Sequence, residues 1–544
     1  MPAGALLSTD LAIIGAGPAG LTIARELANT KIRVLVLESG SVDFEPEAQE
    51  FNRVENVGEL RERGAAGPDR GYTDELSWLN EVPAFELRNR VLGGSTHTWV
   101  GKCVAFDEID FAERPWIPRS GWPIARESLA GALDRAAALL NLGPNIYDER
   151  LHGLLRSPPP DIGIDRELLR PCFWQFSHSR DHPGEPLRFG EEIRKLEAAN
   201  IQTLTNATVT RIHTDKSGRR VASLEIRSLA GTYGRVRAQM VVLSAGGIEN
   251  ARLLLASGIG NRREAVGRYL ADHPRAVVGS FGKADAAAVA RHFGFFGLRR
   301  GNFYLRGLAL SPRLQERERL LNCAVYPVQE LAEDDPWLAL KRLRRSKTLR
   351  HAADALSSPT LLASGLYRRL ILRRGLSRKL EGLRFDAMVE QRPEPESRVT
   401  LSSRLDRHGM PIARVDWKIS DEEIATVMRF GRVLVEEFRC VGLPEPRLAD
   451  WIERDDPAGA AFSDMAHPAC TTRMGGDPTT SVVDENACVH GMEDIYLAGS
   501  SVFPTPGHAN PTLMIVALSI RLADHLKAAF ERSPVSHSHL EPAS

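Results

Sequence analysis

Residues 10-DLAIIGAGPAGLTIARELANTKIRVLVLESG-40 pass from an apolar run to glycines, then to apolar positions at helical spacing, then to a second apolar run. An unbroken run such as Leu11–Ile14 reads as a parallel strand covered on both faces, and Leu21, Ala24 and Leu27 give the following helix its inward stripe. The second run, Val34–Leu37, ends in Glu38. The same grammar of strand, small residues and helix returns at 239-QMVVLSAGGIENARLLLASG-258, preceded by an apolar strand near 204–212. From about 276 to 450 the pattern changes. There 302-NFYLRGLALS-311, 385-FDAMVEQRP-393 and 411-PIARVDW-417 alternate as strands of an antiparallel sheet do. Near the C-terminus, 495-IYLAGSSVFPT-505 predicts a strand running into small residues. Thr512 to about Lys527 predicts a helix apolar on nearly every side through Leu518, hence buried.

The glycines at 15, 17 and 20 occupy G-x-G-x-x-G positions between strand and helix. Gly15 allows the tight turn, Gly17 lets a pyrophosphate approach the backbone, and Gly20 lets helix and strand pack closely. The pyrophosphate then meets the helix N-terminus, and Glu38 accepts from the ribose hydroxyls. An acid there favours an unphosphorylated ribose, leaving FAD or NAD. About 230 residues separate the first unit from its continuation, where an NAD dehydrogenase would continue directly; the long insertion favours a flavin that has to be covered. Gly93, Gly94, Ser95 and Thr96 make a small-residue loop where a planar ring can approach the backbone, although the loop alone reads equally well as a tight surface turn. His508 and Asn510 precede the buried helix. Asn510 followed by Pro511 is a preferred helix start, so a cap alone would account for it, while a buried helix N-terminus also suits a site where negative charge develops.

Composition narrows the field. The chain has 544 residues, 43% of them hydrophobic, and a formal net charge of zero, which gives no field for nucleic acid. Six cysteines are scattered with no CxxC pair and no His/Cys cluster at zinc spacing, so neither structural zinc, any other metal site nor a disulfide framework is expected. With no signal-like N-terminus and no apolar run of membrane-spanning length, the expectation is a cytoplasmic protein. One segment departs from the balanced charge: residues 341–384 carry 13 Lys/Arg against two acids. There Leu362, Leu366, Leu370, Ile371 and Leu380 fall near helical spacing, as in an amphipathic helix pair. A solvated lid or subunit contact, docking to anionic lipid, and a funnel for an anionic partner remain open for it.

Three stretches together carry a resemblance: the fingerprint at 10–40, 93-GGSTHTW-99, and 467-HPACTTRMGGDPTTSVVDENACVHGMEDIYLAGSSVFPTPGHANPTLMIVALSIRLADHL-526. They resemble the glucose–methanol–choline (GMC) flavin oxidoreductases, as does 266-VGRYLADHP-274. The resemblance implies a Rossmann-like FAD-binding domain joined to an α+β substrate domain on an antiparallel sheet. Residues 1–275, with flavin-covering insertions at about 45–200, would form the first part of the FAD domain. Residues 276–450, with a basic helical insert at about 335–382, would form the substrate domain, and 451–544 would return to carry the catalytic pair. It implies His467 as general base and Asn510 as its partner, oxidising an alcohol by hydride transfer to flavin N5.

FAD would be held by Gly15, Gly17, Gly20 and Glu38, with its ring under Gly93, Gly94, Ser95 and His97. Val209, Ala245, Gly499, Ser500, Pro511 and Thr512 are further candidate cofactor contacts, and Trp174 and His508 candidate substrate contacts. In some relatives a histidine in an STH sequence is bonded to the flavin, which makes His97 a candidate attachment point, although non-covalent FAD is the expectation. Relatives usually have Gly where this chain has Cys470. The substrate class implied is a sugar, glycoside or aminocyclitol-type alcohol. A sterol or other hydrophobic alcohol at a membrane, and a redox-silent lyase, are the alternatives. Oxygen, a quinone or a protein as electron acceptor, and the oligomeric state, stay open.

Overall fold

The structure, a computed structural model, describes residues 4–58, 88–261, 263–299, 301–346 and 358–532. Part of the insertion at 45–200 (59–87) and part of the basic segment (347–357) lie outside the described residues.

Strand Ala5–Ile14 lies at the centre of a seven-stranded sheet. On one side it pairs in parallel with Val34–Leu37, which pairs with Ile201–Leu204. On the other it pairs along nine positions with Tyr233–Leu243, the strand that resumes the fold after the long insertion. The end of that strand also pairs in parallel with Ile495–Leu497. Its earlier half starts an antiparallel meander through Val221–Arg227 and Thr208–Thr214. The apolar stretch at 204–212 is therefore two strands, broken at Asn206, whose φ of +52° suits a turn and not a strand. Helix Thr512–Arg532 runs five residues beyond the expected end and buries Leu513, Met514, Val516, Leu518, Ile520, Leu522 and Leu526. Each such side chain contributes about 1.5–3 kcal/mol on burial, enough to override the few polar positions.

The second sheet has eight strands, with neighbours antiparallel throughout. It holds Arg275–Gly282, Leu380–Val389, Cys323–Leu331 and Phe303–Leu310 in adjacent places. The order then continues into Leu169–Phe176, which pairs with Phe303–Leu310, and ends at Lys102–Cys103, which pairs with Leu169–Phe176. Two strands that lie within the stretch 45–200 thus belong to the antiparallel sheet. Pro411–Asp416, expected in that sheet, instead pairs with Arg398–Leu405 and Val54–Asn56 in a separate three-stranded sheet. Strand pairing depends on which edge is available in space, and alternation along one strand does not say which sheet receives it.

The apolar core of the parallel sheet continues onto one face of the antiparallel sheet through Leu305, Ala309, Ala324, Tyr326 and Met388. The other face packs on helix Asp421–Cys440, which starts with a Ser420–Glu423 capping box. The two sheets thus enclose a seam, and the site lies along it. The basic segment forms helices Pro336–Ser346 and Pro359–Leu370. Leu380 belongs to neither, because it begins a sheet strand. Among the described residues no helix is long and apolar enough to cross a membrane.

Candidate active site

At one end of the seam the glycine turn is shaped by contacts that exclude side chains at two of its three glycines. A Cβ at Gly20 would lie 2.1 Å from the Gly15 carbonyl oxygen, and one at Gly15, where φ is +100°, 2.8 Å from that of Ser244. Gly17 differs: its φ is −81°, and no atom lies within 4 Å of the Cβ position. The fold does not itself require glycine at 17; an approaching ligand does. Helix Pro18–Glu26 begins there with no side-chain cap and no acid in its first turn, so its free N–H groups and positive dipole end face the same space. Glu38 is buried, with Oε2 accepting from Ala16 N–H and Oε1 from Gly40 N–H, each at 2.8 Å. Burial raises its pKa, and those hydrogen bonds and Arg90 draw it back. The carboxylate braces the turn and keeps lone pairs for ribose hydroxyls.

The loop at 93–97 meets this turn directly. Gly94 opens a helical turn over Gly94–His97 with φ of +54°, and a Cβ on it would sit 2.9 Å from Gly17 Cα. Ser95 and His97 are exposed on this loop. Ala245 precedes helix Gly246–Ser257, and its N–H donates to Asn250 Oδ1 at 2.8 Å. Val209 has its side chain in the core, which leaves only its backbone for a ligand. Gly499 has φ of +108° and open space at its Cβ position. Ser500 is a clamp: its hydroxyl donates to Pro468 O at 2.7 Å and its carbonyl accepts from Cys470 N–H at 3.1 Å. An open cradle at Gly17, an uncapped helix end and a buried acid fit a flavin dinucleotide.

His467 stands at the other end of the seam, half-buried. Its Nδ1 lies 3.2 Å from Nδ1 of His273, whose Nε2 lies 3.1 Å from the carbonyl oxygen of Pro506. A carbonyl only accepts, so His273 carries its proton on Nε2 and, when neutral, presents a bare Nδ1. His467 must then donate from Nδ1, which leaves Nε2 as an unprotonated lone pair. Burial lowers the pKa of both imidazoles; His273 and Lys102 depress His467 further, well below the usual value. Asp272 anchors the pair, its carboxylate accepting from the backbone N–H groups of His273 and His467 at 2.5 and 3.1 Å. Asp272, His273 and His467 form a compact His/Asp group that residue spacing did not announce; both ring nitrogens of His273 and Nδ1 of His467 are committed to the hydrogen bonds just described, and Nε2 of His467 is not. Cys470, the departure from the family pattern, has φ of +68° and a buried thiol pushed up to about 12 by desolvation. The backbone keeps a conformation that favours glycine, at a cost of about 1 kcal/mol for a residue with a side chain.

Asn510 is buried, and its Oδ1 has no hydrogen-bond partner. A capping side chain would accept from a first-turn N–H, so the cap reading fails. The orphaned oxygen instead marks a place for a ligand group. His508 is wholly buried, with Nδ1 3.8 Å from Asp107 and Nε2 3.8 Å from the Cys172 thiol. Desolvation lowers its pKa to about 4. It supports the loop from behind and does not face open space. Trp174 is also fully buried, with Nε1 unpartnered.

Trp174 belongs to a feature that sequence reading missed. Lys102 Nζ sits 3.3 Å from the centroid of the Tyr326 ring and 4.7 Å from that of Trp174, inside the sheet that faces the flavin domain. Burial lowers its pKa to about 7. No linear signal connects Lys102, His273 and His467; strand pairing alone brings them to one place.

Comparison with known proteins agrees with the fold. Residues 192–275 and 393–519 match the N- and C-terminal parts described as GMC oxidoreductase, and 13–42 match an NAD(P)-binding Rossmann-like domain. The chain is 24% identical to 2-methyl-1,2-propanediol dehydrogenase of Mycolicibacterium austroafricanum, covering 96% of each chain. It is 24% identical to C-glycoside 3-oxidase of Microbacterium trichothecenolyticum, covering 95% of this chain and 96% of that one. Pyridoxine 4-oxidase from Mesorbium loti has the same fold, with a TM-score of 0.54, 17% identity, and coverage of 96% and 99%.

Proposed function

The chain belongs to the GMC oxidoreductase family, whose members act on CH–OH groups, and on that premise we propose that it oxidises an alcohol group of a sugar or glycoside, with His467 as the base. Family membership implies FAD. The cradle at Gly15, Gly17, Gly20, Glu38 and Gly94 would hold it, and bound FAD supplies the acceptor for the hydride that leaves the carbinol carbon. His467 Nε2 receives the hydroxyl proton, and Asp272 keeps the His467 backbone in place for that transfer by accepting from its N–H. Asn510 holds the substrate oxygen in line by donating to it from the amide N–H of its side chain, while its Oδ1, which has no protein partner, is left to accept from another ligand group. The observation that carries this reading is the chain from Pro506 O through His273 to His467 Nδ1, which leaves the outer nitrogen free of its proton. A polyhydroxylated substrate draws support from the activities of the relatives, one on a diol and one on a C-glycoside. Non-covalent FAD and a cytoplasmic location complete the proposal.

The test is anaerobic stopped-flow reduction of the bound flavin by a panel of sugars, glycosides and small diols. Reduction by at least one of them is expected, and His467→Ala should slow it on the order of 100-fold or more at unchanged flavin content. An unchanged single-turnover rate would remove His467 from the reaction. Absence of reduction by every alcohol would favour a lyase.

A further inference from the structure

Helices Pro336–Ser346 and Pro359–Leu370 meet through Gly365, whose Cβ position lies 2.6 Å from the Trp337 ring. With Gly365 turned inward, Ala363, Leu366, Tyr367 and Leu370 share a face at spacings of three and four, and all are exposed. An amphipathic helix on a globular surface normally turns its apolar stripe to the core; this one turns it to water. Leu366, Tyr367, Leu370 and the adjoining Ile371 are 48, 56, 69 and 53% exposed. Phe295, 39% exposed, is tied to the same surface because Gly375 N–H donates to its carbonyl at 2.7 Å.

Arginines surround the stripe. The Arg368 side chain donates to Gly375 O, that of Arg373 to Leu298 O and Gly301 O, and that of Arg374 to Ser157 O and Pro158 O. Arg369 and Arg373 also lie over the Phe303 ring at 3.6 and 4.7 Å. Their partners among the described residues are carbonyls and rings, not carboxylates. Apart from burial, what opposes their charge is each other: Arg374 and Arg291 act on Arg368, and Arg373 on Arg369. In a chain of zero net charge, this is a local excess of cations with no carboxylate paired to it among the described residues.

We propose that this face docks on an anionic lipid surface, with Leu366, Tyr367, Leu370 and Ile371 entering the headgroup boundary and the arginines meeting lipid phosphates. Charge complementarity selects this occupant: a second copy would bring the same cations against these and be repelled. An acidic protein would satisfy the arginines but leaves the apolar stripe without a stated counterpart.

Sedimentation of the full-length flavoprotein with vesicles of phosphatidylcholine alone, and of phosphatidylcholine mixed with phosphatidylglycerol, tests it at low and physiological salt. Binding to the anionic vesicles is expected, roughly tenfold or more above the neutral ones and weakened by salt. Leu366→Ser with Leu370→Ser should reduce it about tenfold, and Arg368→Gln with Arg369→Gln should reduce its salt dependence, with circular dichroism and turnover of a soluble alcohol unchanged. No binding to anionic vesicles at low salt, or binding insensitive to both pairs, overturns the proposal. So does a dimer by light scattering that the serine pair dissolves, which would assign the face to a second copy. Retention on polyglutamate without vesicle binding would assign it to an acidic protein.

Discussion

His467 gains its proposed chemistry from two residues far from it in sequence. His273 dictates which of its nitrogens carries the proton, and Lys102 stands near enough to oppose its protonation. The sign of the pH dependence follows. The base works when neutral and its pKa lies well below 6.5, so the acid limb of kcat/KM should fall below pH 6.5. Lys102, lowered only to about 7, carries its charge throughout that range. Lys102→Met removes a positive charge facing the imidazolium, so the acid limb should move to higher pH, by roughly half a unit to one unit. Asp272 and His273 keep their places in this variant, and a purely structural role for Lys102 would change the height of the profile without moving its limb. The sequence marks His467 and Asn510 through their local motifs. It marks Lys102 not at all, because one lysine between Gly101 and Cys103 becomes informative only when Tyr326 and Trp174 close around it.

At the scale of elements, the strand–turn–helix unit at the N-terminus separates two kinds of glycine. Gly17→Ala meets no protein atom and suits the existing backbone, so it should leave the melting temperature within about a degree of the parent while weakening FAD binding at least tenfold, as read by flavin fluorescence on titration. Gly20→Ala places a methyl against the Gly15 carbonyl and should lower stability by about 1–3 kcal/mol even without cofactor, as read by denaturant unfolding. Equal loss of stability from both would show that the open space at Gly17 has no ligand to serve. The bounds of Val34–Leu37 and the start of the C-terminal helix are legible in the sequence because unbroken apolar runs end at charged or small residues. The membership of Leu169–Phe176 in the antiparallel sheet is not, because its partner, Phe303–Leu310, lies more than a hundred residues away.

Over the whole molecule, one apolar core joins the parallel sheet to the facing side of the antiparallel sheet, and a second lies behind it. Neither sheet can lose its partner without exposing that shared core, so thermal unfolding followed by circular dichroism and by flavin release should give coincident transitions. FAD held by the proposed cradle would contact the glycine turn and the 93–97 loop. At a free concentration near 100 times Kd it should add about 2.7 kcal/mol, and stripping it should lower Tm by a few degrees in calorimetry. Two separate transitions, with only one responding to FAD, would contradict the shared core.

By itself the sequence determined the local pieces: glycines where backbone must approach backbone or ligand, apolar runs that must be buried, and short motifs whose residues act within one turn of chain. Those follow from steric and hydrophobic requirements that span a few residues. The tertiary structure alone decided which strands share a sheet, that Asn510 holds an unpaired oxygen in place of a cap, and that His273 and Lys102 bear on His467. Contacts across hundreds of residues depend on how layers stack, and no pattern along the chain encodes the distance between two side chains that meet only after folding.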